Sequence, residues 1–183
     1  MKRLRPIKVL NELTLKKNEE FACCFNSAHC VTKNTKLIIV GTITPPAGNG
    51  YFYTAPRNRI MGYIDEARGT NLKPLKLSID TNKNAINEIK NTLIEQGIAF
   101  LDVMEKVVRK KDSPYDKDIR FFSLDYETFA KVIEQNKNVK FICNSKLALD
   151  CFAEITKNLG LKVNYVFCSQ RCTKKVVWLD ELK

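Results

Sequence analysis

Apolar positions along the chain follow two alternating rhythms. Leu37-Ile38-Ile39-Val40 is an unbroken apolar run closed by Gly41, as in a strand covered on both faces. From Gly41 to Asn49-Gly50 the residues are turn formers and small polar groups, among them Pro45, Pro46 and Gly48. Pro56 suits the first turn of a helix, where its missing donor costs nothing, and that helix is predicted from about Asn58 to Ala67. Gly69 to Lys83 is polar, contains Pro74 and reads as a connection. Ile86, Ile89, Leu93 and Ile94 recur at helical spacing, and Gly97 stops that helix. Ile98-Ala99-Phe100-Leu101 is a second buried strand ending at Asp102.

The rhythm blurs over residues 105–120, which are highly charged and read as an exposed, mobile loop. Its Arg109-Lys110-Lys111 cluster either meets phosphate or forms a solvated face. Asp125 then suits an N-cap, followed by Tyr126, Phe129, Ala130 and Ile133 on one helical face. Val139 to Cys143 is a third strand. Ser145 caps a helix with the stripe Ala148, Cys151, Phe152, Ile155 and Leu159, closed by Gly160. Val163 to Phe167 is a fourth strand, and Cys168-Ser169-Gln170-Arg171-Cys172 leads to a last helix through Trp178 and Leu182. Strand and helix alternate, so the predicted fold class is α/β: a three-layer α/β/α arrangement around a four-stranded parallel sheet. Residues 1–36 are basic and weakly patterned, with a short helix predicted over Leu13 to Cys24. They are expected to pack as an N-terminal extension on a single domain spanning 1–183.

Composition narrows the partners. Lys and Arg number 31 against 20 Asp and Glu, a formal net charge of +11. Such an excess favours polyanions, nucleic acid above all, or serves solubility alone. No stretch approaches the roughly 20 apolar residues of a membrane span. The basic start Met1-Lys2-Arg3-Leu4-Arg5 is not followed by the apolar core of an export signal, so a cytoplasmic, monomeric protein is expected. The seven cysteines are an odd number with no C-x-x-C pair, which argues for reduced thiols. Cys23, Cys24, His29 and Cys30 are close in sequence, but adjacent cysteines complete a tetrahedral site poorly, and no metal is expected there. His29, the single histidine, reads as structural or solvated rather than as a base.

In a parallel sheet the loops after strands one, two and four open at one rim, where open α/β sheets bind ligands. That rim would gather Thr42–Asn58, Asp102 and Ser169–Arg171. Tyr51-Phe52-Tyr53 beside Arg57, Asn58 and Arg59 offers stacking, charge and an amide in one place, which suits a base with its phosphate. Each residue has a plainer alternative. The aromatics pack as core or stack a base; Asn58 caps a helix or reads a base; Arg57 and Arg59 are solvated or hold phosphate. Asp102 reads as a buried hydrogen-bonding residue at a strand end in preference to a catalytic one.

Gly41-Thr42-Ile43-Thr44-Pro45 followed by Tyr51-Phe52-Tyr53-Thr54-Ala55-Pro56-Arg57-Asn58-Arg59 resembles the first motif of the uracil-DNA glycosylase superfamily, nearest its mismatch-specific and hypoxanthine-acting branches. Those carry a Gly-x-x-Pro loop, an aromatic, and Pro-x-Asn. Gly97 to Val103 is similar to the family's second-strand segment, and the likeness extends more faintly from residue 36 to Trp178. The resemblance implies a monofunctional DNA glycosylase that flips a deaminated base, uracil or hypoxanthine, into a pocket and hydrolyses its N-glycosidic bond, with DNA as partner and no cofactor. It implies base binding by Gly41, Tyr53 and Asn58, catalysis by Asn58 with Thr42 and Thr44 around the water, and DNA contacts from Arg57, Arg59, Ser169 and Arg171. The chain departs from the pattern at three places. Thr44 stands where several relatives place an asparagine, Ile60-Met61 replaces Phe-Trp, and the last loop lacks the Pro-Ser or His-Pro signature. These departures leave two rivals: a catalytically inactive nucleic-acid-binding protein of the same fold, and an enzyme of free nucleosides or nucleotides.

Overall fold

The two rhythms resolve into seven strands and six helices among residues 19–23, 30–44, 51–110, 115–169 and 173–183, which the computed structural model describes. In chain order these are β1 (Glu19–Cys23), β2 (Leu37–Gly41), α1 (Ile60–Arg68), α2 (Leu72–Leu77), α3 (Ala85–Glu95), β3 (Ile98–Asp102), β4 (Met104–Lys110), β5 (Ile119–Leu124), α4 (Tyr126–Gln135), β6 (Lys140–Cys143), α5 (Lys146–Asn158), β7 (Asn164–Phe167) and α6 (Lys175–Leu182). A single 3₁₀ turn, Asp116–Asp118, precedes β5.

β3, β2, β6 and β7 lie side by side in that order, all parallel. The period-2 alternation sends their side chains to two separate cores. Ile38, Val40, Ala99, Leu101, Phe141 and Cys143 face one core, with Phe129 of α4 and Phe152 and Ile155 of α5. Leu37, Ile39, Ile98, Phe100 and Ile142 face the other, with Ile60 and Ile64 of α1, Leu72 of α2, Ile89 and Leu93 of α3, and Trp178 of α6. The architecture is therefore three layers, α/β/α. From β2 the chain moves outward to β3 over the α1–α3 face. From β6 it moves the opposite way to β7 over the α5 face. Reversing both direction and face keeps the crossover hand constant, and it puts the point where the sheet's winding reverses between β2 and β6.

Four expectations are corrected. Residues 105–120 are not an exposed loop: β4 and β5 pair antiparallel, and Arg109 is 1% exposed. Met104, Val107, Ile119 and Phe122 join the core beneath α4 and α5, so burial outweighs a charge pattern that hides the strand period. Glu19–Cys23 is a strand, not part of a helix, because it pairs antiparallel with β4 from Glu19↔Lys110 to Cys23↔Lys106. The connection after Gly69 holds α2. Its first N–H groups, of Leu72 and Lys73, donate to the Asp65 carboxylate at 2.6 and 2.8 Å, a cap seven residues away in sequence. Helix α1 starts at Ile60, two residues later than predicted: Arg59 is its N-cap, and Asn58 before it turns its Oδ1 onto the Ile60 N–H at 2.9 Å.

Two caps lie where the sequence puts them. Asp125 accepts the Thr128 N–H at 3.0 Å and Ser145 accepts the Ala148 N–H at 3.0 Å. Among the described residues no helix is long and apolar enough to cross a membrane.

Candidate functional site

The site is built at the carboxyl ends of β2, β3 and β6. β2 ends at Gly41, a glycine because its surroundings leave no room for a side chain. A Cβ there would lie 2.4 Å from Asp102 Oδ1 and 2.6 Å from the Tyr53 hydroxyl. Both oxygens therefore close over the place a Gly41 side chain would take. Tyr53 reaches this place through a left-handed backbone, φ 56°, rare for a non-glycine and worth about 1–3 kcal/mol of strain. Its ring stands edge-to-face on Phe100 of β3, with centroids 4.8 Å apart. Its hydroxyl accepts a hydrogen bond from Asn144 Nδ2 at 2.8 Å. Asn144 follows the last residue of β6, and its backbone N–H donates to the Val40 carbonyl of β2 at 3.0 Å. One phenolic oxygen thus spans the β2/β6 crevice, where the sheet's winding reverses.

Asp102, at the end of β3, is 2% exposed. Its Oδ2 accepts from the Thr44 backbone N–H at 2.6 Å and from the Thr44 hydroxyl at 2.8 Å. Burial pushes its carboxyl up to about 6; the two Thr44 hydrogen bonds and the Arg109 guanidinium pull the other way, and the nearby Asp116 carboxylate adds to the rise. Asp116 is tied to the same rim, accepting from the Thr42 hydroxyl at 2.7 Å. Burial first, then the charges of Asp102 and Asp116, hold the Tyr53 phenol well above the usual tyrosine range, so it keeps its proton. The rim therefore sets a neutral O–H beside a carboxylate that titrates near neutral pH.

The other expected residues have different surroundings. Tyr51 and Phe52 are core, each 1% exposed, and the Tyr51 hydroxyl pairs with Cys30 Sγ at 3.1 Å. Asn58 is half-buried with its Oδ1 on the start of α1. The turn that carries it is held by Lys76 of α2, whose ammonium donates to the carbonyls of Ala55 and Pro56, each at 3.3 Å, and of Asn58 at 2.7 Å. Burial, then Lys73, lower the Lys76 pKa. Arg57 and Arg59 are exposed beside that turn. Ser169, after β7, is engaged through its backbone: its N–H donates to Thr173 Oγ1 at 2.9 Å, and its carbonyl accepts from Trp178 Nε1 at 3.3 Å. Arg171 and the prolines at 45 and 46 lie outside the described residues, as do Cys24 and His29.

Gly41, Thr42, Thr44, Tyr53 and Asp102 therefore come together. Asn144, Asp116 and Lys76 were missed, and Arg109, expected to meet phosphate or solvent, is buried instead. Asn144 had a signal, since it directly follows a predicted strand, but its place at the reversal point needs the strand order. Asp116 and Arg109 sat inside a charge run indistinguishable from a solvated loop.

Among the described residues no group of three or more His, Cys, Asp or Glu side chains could hold a metal ion. Compared with models of protein families, with curated proteins and with solved structures, the chain matches none of them. Its place is given by architecture: a three-layer α/β/α fold whose four-stranded parallel sheet opens its reversal point onto a phenol and a carboxylate.

Proposed function

We propose that this protein excises a deaminated base, uracil or hypoxanthine, from DNA by hydrolysing the N-glycosidic bond. The observation that carries the reading is the pair of oxygens over Gly41, a donor and an acceptor side by side. Uracil and hypoxanthine each present a lactam edge, a carbonyl next to a ring N–H. Cytosine and adenine present the reverse, an amino group next to a bare ring nitrogen. Asn144 occupies an acceptor position of the Tyr53 oxygen, so that oxygen is set to donate its proton. A carboxylate oxygen takes more than one donor, so Asp102 can accept a ring N–H while Thr44 holds it. A lactam matches this order of donor and acceptor; an amino base does not.

The same groups serve the chemistry. The glycosidic bond breaks with dissociative character, leaving negative charge on the base and positive charge on the sugar. A phenolic O–H on the departing lactam oxygen strengthens as that charge grows. The Asp116 carboxylate, fixed by the Thr42 hydroxyl, favours the sugar cation and orients water. Tyr53 then contributes a hydrogen bond beside any stacking, and Arg57 and Arg59 flank the turn as phosphate contacts. The excess of positive charge suits a DNA partner.

Four duplexes that differ at one position test this, carrying uracil, hypoxanthine, cytosine or adenine. After incubation, alkali cleaves the strand wherever a base is lost. Cleavage at uracil or hypoxanthine, with none at cytosine or adenine, is expected. Binding to all four with no cleavage would identify a nucleic-acid-binding protein without chemistry. Base release from free nucleosides in preference to DNA would identify a nucleoside hydrolase.

A further inference from the structure

The 3₁₀ turn before β5 faces two ways. Asp116 points into the site and accepts from Thr42. Its two sequence neighbours are exposed: Tyr115 at 53% and Lys117, whose ammonium lies 5.4 Å from the Tyr115 ring centroid. Arg120, next along the chain on β5, is exposed too. Asp116 and Asp118 are half-buried, so the cations are the more exposed charges of this turn. Tyr115 is a large exposed aromatic beside cations, on a turn that the 2.7 Å Thr42–Asp116 hydrogen bond ties to the rim, and it lies outside the core and the excision chemistry.

We propose that Tyr115, Lys117 and Arg120 form a DNA-contacting edge of the site. Tyr115 stacks on a base next to the extruded nucleotide, and the two cations meet the flanking phosphates. Extruding a base leaves its neighbour without a stacking partner, and an aromatic ring at the surface restores one. The Thr42–Asp116 bond sets the reach, because it fixes the turn against the loop that would receive the base. The proposal rests on the excision reading only for placing DNA at this rim.

Fluorescence anisotropy of the full chain with two duplexes tests it, one undamaged and one with a tetrahydrofuran abasic analogue, from 50 to 200 mM salt. Tyr115→Ala should weaken binding to the abasic duplex by about 5- to 150-fold, and Tyr115→Phe should restore it. The double variant Lys117→Ala/Arg120→Ala should weaken both duplexes alike and lower the salt slope by about 2. Melting temperatures measured alongside separate a loss of fold from a loss of contact. Unchanged affinity and slope in these variants, or a wild-type chain that binds neither duplex, overturns the proposal. Base release is read separately. A protein that binds in this way without excising keeps this edge and loses the enzyme; one that excises with the variants binding normally does the reverse.

Discussion

Gly41 leaves a gap where any other residue would place a carbon, and two side chains close over that gap. Gly41→Ala would put a methyl within 2.4 Å of Asp102 Oδ1 and 2.6 Å of the Tyr53 hydroxyl, so one or both must move. Overpacking of this kind costs about 1–3 kcal/mol. The variant should melt lower and release base at least ~100-fold more slowly, a misplacement effect. Asp102 gives a prediction of opposite sign for stability. Its carboxyl titrates at about 6 in the fold against 3.8 unfolded. The folded chain therefore binds the proton more tightly, and the stability this group contributes is full below pH 3.8 and lost as pH rises through 6. The buried charge costs roughly 2–3 kcal/mol above that range. Asp102→Asn should raise the melting temperature by about 4–12 °C at pH 8 and leave it nearly unchanged at pH 4, as thermal melts at the two values would show. Asp102 was legible in the sequence as a buried residue at a strand end. The roles of Thr42 and Thr44 were less so, because a hydroxyl in a loop reveals nothing of the carboxylate it binds from another strand.

At the scale of elements, the turn at 55–58 is held by one side chain from α2. Three carbonyls share the Lys76 ammonium. Lys76→Met keeps the apolar stem and strips all three of their donor, which should cost about 1–3 kcal/mol. Amide exchange should quicken around Asn58 and at the start of α1 while the sheet strands keep their protection. Lys76→Arg should recover part of the loss. None of this was readable beforehand, since α2 lay in a stretch with Pro74 and no helical stripe. Pro74 is the third residue of α2, where its missing N–H is one of the helix's unpaired donors anyway. The long apolar stripes of α3, α4 and α5 were legible because each repeats at helical spacing and has a capping residue or a glycine stop. β4 was not: Lys106, Arg109 and Lys110 interrupt its alternation, and the strand shows only in its pairing with β1 and β5.

Across the whole molecule, the order β3-β2-β6-β7 decides where chemistry can sit. Alternating strands and helices predicted a parallel sheet with a working rim. They did not give the order, and so could not say that Asn144 meets Tyr53 across the reversal point. In the proposed function a lactam is received at that point, between a phenol that donates and a carboxylate that accepts. The ionised carboxylate is much the stronger acceptor, so base release should follow its titration. Single-turnover release of uracil or hypoxanthine should be measured from pH 5 to 8 for the wild-type chain and for Asp102→Asn. The wild-type rate should rise about tenfold per pH unit at the acid end and level off above pH 6, while the variant is at least ~100-fold slower with no such inflection. A variant whose rates overlay the wild type across that range would contradict the claim.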